Sequence, residues 1–496
     1  MRSIMKIVFL SVVAMCLFLP SALADNSVAR IDGKNRYAVA VNAAKKGWGT
    51  ASTAVLVGKE AYADALSAVP YAYQKNAPVL FTNSSSLSTD TKKGLQSLKT
   101  KNVTILGGTK SVSSKVTTQL KAMGISVKRI SGKNRYDLAA NIAKQMKSSS
   151  TAVVANGFAY ADSVAIAPYA AKQGYPILLT NDKGLRSETS AVIKSRGINK
   201  TIVIGGESSI NKSTYTKLPS PSRIGGANRY EVAANIVTKY NMSTSNTYIS
   251  NGFAYADAAT GASIAAKQGK AFIFTNEKSL PNATRKIIGS KKITSFNILG
   301  GTSTVTNNVT SQLKNPVVGK KVFIDPGHGK QDSGAVGYGL LEKNVNLDVG
   351  KRLNTKLNNA GALPVMSRTS DTFDSLQTRV TKGANAKADI FISIHANAND
   401  NSSANGTETY YDKTYQASNS LKLAQNIQPK MVSALGTRDR GVKTAGFYVI
   451  KYSKMPSVLL ETGFVSSPVD SNILKSATKK DKLASGISSG VSGYFR

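Results

Sequence analysis

One block of residues recurs three times along the chain, and this self-similarity limits the available folds more than any other feature. RIDGKNRYAVA begins at Arg30, RISGKNRYDLA at Arg129 and RIGGANRYEVA at Arg223. Each block is followed by AYAD (Ala61–Asp64, Ala159–Asp162, Ala254–Asp257) and later by an apolar run ending at Gly107–Gly108, Gly205–Gly206 or Gly300–Gly301. The leading arginines lie 99 and 94 residues apart. Solenoid units are shorter, roughly 20–50 residues, so each copy has the size of a small domain.

Within a copy, short β-branched runs alternate with helical stretches. In the first, TAVLVG, PVLFT and NVTILGG are strand-like, while YADALSAVPYAYQKN, STDTKKGLQSLKT and SVSSKVTTQLKAMG are helix-like. Apolar runs without polar alternation suit strands buried on both faces, with helices as crossovers. The pattern predicts three repeated α/β modules on parallel or mixed sheets, followed by a different α/β domain. The expected limits are a signal segment over 1–24, modules over 25–125, 126–219 and 220–317, and a last domain over 318–496. Asp64, Asp162 and Asp257 of AYAD read as helix-initiating, satisfied buried carboxylates, because every copy must fold whereas ligand contacts are free to drift. Arg36, Arg135 and Arg229 of NRY either grip anions or pair with those aspartates.

The amino end has a secretory pattern: basic MRSIMK, apolar IVFLSVVAMCLFL, then SALA, with cleavage expected after Ala24. No later apolar run spans a bilayer, so the mature chain is expected to be exported and soluble. The single cysteine, Cys16, falls inside the signal, which leaves no thiol for disulfides, metal binding or nucleophilic catalysis. Lys and Arg number 65 against 27 Asp and Glu, a formal charge of +38. Residues 25–319 hold 39 of those cations and 13 of the acids, so this region is the expected polyanion holder. For an exported chain without aromatic RNA-binding motifs, envelope polymers are the expected partner, not nucleic acid.

The repeat vocabulary stops after NPVVG, and a domain of 177 residues starts at Lys320. It contains both histidines of the chain, His328 in VFIDPGHGKQDSG and His395 in FISIHAN. His328, His395 and Glu461 each follow an apolar strand-like run, and Glu342 opens a helical stretch with Leu347, Leu353 and Leu357 inward. In an open α/β sheet the carboxyl ends of parallel strands share one edge, where ligands bind. Two imidazoles and a carboxylate form the ligand set of a hydrolytic zinc site, and a remaining carboxylate serves as general base and acid. A lone histidine is ordinarily a surface or core residue; two at strand ends in an otherwise histidine-free chain point to ligation. Asp325 is an alternative ligand, although the DPGH turn calls on it for local hydrogen bonds.

The three RI-x-G-x-NRY, AYAD and ILGG-type blocks, over roughly 28–314, resemble cell-wall-binding repeats of type 2. FIDPGHG, Glu342, FISIHAN and LLETGF resemble the zinc-dependent N-acetylmuramoyl-L-alanine amidases of type 3, and the whole chain is similar to large secreted autolysin amidases of bacilli. The resemblance implies zinc on His328, Glu342 and His395, Glu461 as catalytic carboxylate, and cleavage of the bond between N-acetylmuramic acid and L-alanine in peptidoglycan. It also implies anchoring to anionic wall polymers such as teichoic acids, with three modules about a pseudo-threefold axis in one monomer. Lys330 stands where the family often has glycine, outside the ligand set. Arg368 and Arg379 are candidates for holding substrate carboxylates, with helix-surface ion pairing as the alternative reading. The competing readings are a zinc endopeptidase acting within the stem peptide and a non-enzymatic wall adhesin. A glycosidase needs two carboxylates and no metal, and a serine hydrolase would need the G-x-S-x-G elbow that is missing here.

Overall fold

The computed structural model describes residues 25–496; the expected signal segment and Cys16 lie outside the described residues. Three four-stranded parallel sheets account for the repeats. The first orders its strands Val79–Thr82, Thr53–Gly58, Asn102–Leu106, Ser126–Ile130, and the second Ile177–Thr180, Thr151–Asn156, Lys200–Ile204, Pro221–Ile224. The inner strands are buried along nearly their whole length, as their unbroken apolar runs require.

The sheets are offset from the sequence period. The RI strand that opens each copy completes the sheet of the preceding copy: Ser126–Ile130 pairs with Asn102–Leu106, and Pro221–Ile224 with Lys200–Ile204. The first such strand, Ser27–Ile31, has no preceding copy. It pairs in parallel with Ser295–Leu299 of the third repeat and closes the three modules into a ring.

Side chains of the repeated motifs lock this ring. Asn35, Asn134 and Asn228 of NRY cap their helices, each side chain accepting from the backbone N–H groups two and three residues on. The adjacent arginines do not pair with the AYAD aspartates. Arg36 donates to the hydroxyl of Tyr255, Arg135 to that of Tyr62 and Arg229 to that of Tyr160, so each crosses to another repeat. The ring of Tyr62 lies 6.4 Å from that of Tyr160 and 6.1 Å from that of Tyr255, both edge-on. Behind them the helices that begin at these tyrosines share one apolar core drawn from all three repeats. The AYAD carboxylates lie under the glycine loops: a Cβ on Gly107, Gly205 or Gly300 would approach Asp64, Asp162 or Asp257 to 2.2, 2.6 or 2.4 Å. Burial pushes the Asp162 carboxyl up to about 6, against the opposing effects of Ser209 and Arg229.

The last domain is built on a six-stranded mixed sheet. Its order is Leu363–Met366, Lys321–Pro326, Ile390–Asn397, Ser457–Phe464, Thr407–Tyr411, Asp439–Thr444. Only the Ser457–Phe464/Thr407–Tyr411 pair is antiparallel. The helix Glu342–Asn359 packs on this sheet through Val345, Asn346, Val349, Leu353 and Leu357. Leu347, expected inward, is only half-buried, because the buried stripe runs through Glu342, Val345, Asn346, Val349, Leu353 and Leu357 at the 3.6-residue period and passes it by.

Candidate active site and metal centre

The parallel strands Lys321–Pro326 and Ile390–Asn397 end at the same sheet edge, carrying His328 just beyond the first and His395 near the end of the second. Glu342 starts the helix that reaches this edge. One ligand atom from each of His328, Glu342 and His395 lies within 4.8 Å of the other two. His395 Nδ1 is 2.8 Å and His328 Nε2 3.1 Å from Glu342 Oε1, with the two imidazoles 5.0 Å apart and nearly perpendicular.

Each ligand-type side chain is fixed from behind. His328 places Nδ1 2.8 Å from Asp332 Oδ1, which also accepts from the backbone N–H of Gly334, leaving Nε2 toward Glu342. Glu342 Oε2 accepts from Ala335 N at 2.8 Å, and Oε1 accepts from Ala396 N and Asn346 Nδ2 at 3.1 and 3.2 Å. Burial alone would raise the Glu342 carboxyl, but the bonds to His328 and His395 hold it well below the usual range. The same carboxylate and Asp332 raise His328 despite burial. The cradle leaves no spare room: a Cβ on Gly327 would come within 2.2 Å of His395 Cε1.

Glu461 is in register with His395 on the neighbouring parallel strand, so both project to the same face about 4.8 Å apart in backbone. Its Oε2 is buried and has no hydrogen-bond partner. Burial first, then the negative charges of Glu342 and Glu408, push its carboxyl well above the ordinary value. Glu408 faces Glu461 across the antiparallel pair, with its own carboxylate held by Arg440, Lys443, Asn397 and Tyr410.

Arg368 and Arg379, expected to hold substrate carboxylates, are turned inward and each is 3% exposed. Arg379 donates to Asp325 Oδ1 and to the carbonyls of Pro326, His328 and Asp374. Arg368 donates to the carbonyls of Pro326, Gly327, Lys343 and Ser370. The two guanidinium groups brace the turn that carries His328, whose φ of 61° lies in the left-handed region unusual for a non-glycine residue. Asp325 is fully buried between Ser367, Ser393 and Arg379 and faces away from the ligand cluster's donors. Arg379→Ala is expected to destabilise the domain by about 3 kcal/mol, because it strands a buried carboxylate and three carbonyls. Chemical denaturation checks this, and an unchanged midpoint would contradict it.

Sequence reasoning overlooked Asp332 and Asn346. Both had a signal: each lies four residues after a ligand-type residue, His328 and Glu342 respectively, and Asn346 shares the helix face of Glu342.

With fold and site in view, the chain belongs to the N-acetylmuramoyl-L-alanine amidase family and carries cell wall binding repeats. The amidase family model matches residues 322–493, and that of cell wall binding domain 2 matches 30–117, 129–215 and 223–310. N-acetylmuramoyl-L-alanine amidase LytC of Bacillus subtilis (strain 168) is 60% identical over 496 residues, covering all of both chains. Among solved structures, Cwp6 from Clostridium difficile matches 95% of this chain and 80% of its own at a TM-score of 0.57 and 27% identity. Cwp8 from the same organism matches 57% of this chain and 50% of its own at 0.52 and 28%.

Proposed function

We propose that the protein is a zinc-dependent autolysin that cuts the amide between N-acetylmuramic acid and L-alanine of the peptidoglycan stem while its repeats grip anionic wall polymers. The observation that carries the reading is the convergence of His328, Glu342 and His395 beside the unpartnered Oε2 of Glu461. Two imidazoles and a carboxylate, braced by Asp332 and Asn346, fit the three-protein-ligand set of a hydrolytic zinc site. Zinc held there supplies Lewis acidity and lowers the pKa of water toward about 7.

The chain's own groups do the proton work. Glu461 Oε2 accepts a proton from the water that attacks the lactyl carbonyl of the muramic acid. It returns that proton to the L-alanine nitrogen as the C–N bond breaks. A buried carboxyl raised by its surroundings is matched to both halves of this exchange. The turn braced by Arg368 and Arg379 keeps His328 fixed while the peptide departs.

The excess of 39 cations over 13 acids in residues 25–319 supports wall-polymer holding, with teichoic acids as the expected class. The three modules close their ring within one chain, which supports a monomer. No helix among the described residues is long and apolar enough to cross a membrane, in keeping with export to the wall.

Digestion of purified peptidoglycan is expected to release new L-alanine amino termini without new reducing sugars. Other new amino termini would mean an endopeptidase, and intact walls would leave the adhesin reading.

A further inference from the structure

The seam between the third repeat and the amidase domain is packed and hydrogen-bonded. Arg285 reaches across it from the helix Asn282–Ser290 to Asn358 Oδ1 at 2.5 Å and the carbonyl of Ala362 at 2.6 Å. Gln312 donates to the carbonyl of Asn359, and Gly319 N–H to that of Gly361. A Cβ on Gly289 would lie 2.1 Å from the Gly319 carbonyl oxygen, so the chains touch here backbone to backbone.

This joint leaves two open cavities, of 660 and 580 Å³, which share Lys286, Lys321 and Leu363. The larger is lined by five lysines, Lys286, Lys292, Lys320, Lys321 and Lys387, and by two acids, Glu231 and Asp389. Both acids are already bound: Glu231 accepts from Ala227 N–H and Asp389 from Lys321 N–H. The smaller cavity has no carboxylate in its lining and contains Arg285. That guanidinium is nine-tenths buried, meets only amide and carbonyl oxygens, and keeps a buried Nε with no partner. A buried cation without a counter-charge is costly, and here it borders a groove lined by lysines.

We infer that the seam binds a phosphodiester-linked anionic polymer, across the joint between the third repeat and the amidase. Several ammonium groups on flexible stems suit spaced phosphates on a flexible chain. The lining holds no aromatic side chain on which a base would stack, which disfavours nucleic acid. The seam also leaves catalysis free. Lys321 and Asp389 stand at the amino ends of the strands whose carboxyl ends carry the histidine site, and Leu363 opens the parallel strand beside them. A six-residue strand spans about 20 Å, so polymer and substrate occupy opposite edges of one sheet. The inference goes beyond the reading above, which leaves polymer holding to the repeats alone.

The test uses the full chain and synthetic poly(glycerol phosphate). Lys286→Gln, Lys292→Gln and Lys387→Gln are combined, since none of these amines has a hydrogen-bond or ion-pair partner among the described residues. A control combines Lys121→Gln, Lys172→Gln and Lys194→Gln, an equal change of charge on exposed repeat surface. The seam variant is expected to bind at least fivefold more weakly and to lose about two from its slope of log K against log salt. The control is expected to change by less than twofold, and all three proteins are expected to cleave a soluble muramoyl-peptide at one rate. Equal losses in seam variant and control, or none in either, would overturn the seam site while leaving the repeats as polymer holders. Failure of the wild-type chain to bind would overturn both. Tighter wild-type binding to single-stranded DNA, lost in the seam variant, would reassign the groove to nucleic acid.

Discussion

Glu461→Gln is expected to lower turnover by about 10³-fold while the protein keeps about one zinc per chain. The amide has the size of the carboxyl but neither accepts nor releases a proton at the position of Oε2. Because Oε2 has no partner, the substitution breaks no hydrogen bond at that atom. Burial, Glu342 and Glu408 already favour the uncharged form of Glu461, and the amide is uncharged too, so thermal stability should hold. Metal analysis and turnover on muramoyl-peptide, measured on one preparation, separate the alternatives. Loss of zinc together with activity would make Glu461 a ligand; activity within tenfold of wild type would remove it from the chemistry.

Chelation is expected to abolish cleavage, and added zinc to restore it. In the His395→Ala variant, zinc should restore nothing at concentrations that saturate the wild type, because one of the three proposed protein ligands is gone. Gly327→Ala gives an independent probe that leaves every proposed ligand in place. Its new methyl would meet the His395 ring at 2.2 Å and should weaken zinc binding by about 10- to 100-fold, the range found when support behind a ligand is disturbed. Zinc affinity from competition with a chromogenic chelator reads this directly. Wild-type affinity in Gly327→Ala would show that the imidazole has more freedom than this cradle allows.

Much of the site was legible because its chemistry is rare in this chain. Two histidines stand at strand ends, and the strands ending there read as apolar runs, so topology alone brought His328, His395 and Glu461 to one edge. Arg368 and Arg379 were misread because an arginine near a catalytic motif looks the same in sequence whether it faces solvent or the backbone. The left-handed turn at His328, whose Pro326, Gly327 and His328 carbonyls all accept from the two side chains, explains why two guanidinium groups sit beneath it. The repeats were legible as α/β modules, but not the exchange of their RI strands. Sequence period does not record which sheet a strand joins. A hint existed in SVARI and SVKRI, where exposure alternates along the strand as at a sheet edge, unlike the fully apolar TAVLVG.

The exchanged strand also imposes a schedule. Ser27 pairs with Ser295 and Ile31 with Leu299, so the first of the described strands waits for a partner about 270 residues later, a slow, non-local closure. If the chain is delivered to the outside amino end first, the clasp stays open until three-fifths of it has passed. A molecule cut short before Leu299 would offer an unlatched ring with two raw sheet edges, fit for degradation and poor at holding a wall. The segment that follows the clasp is the amidase. On that schedule the ring that holds the wall would close before the cutting domain has emerged, an order written in the direction of the chain.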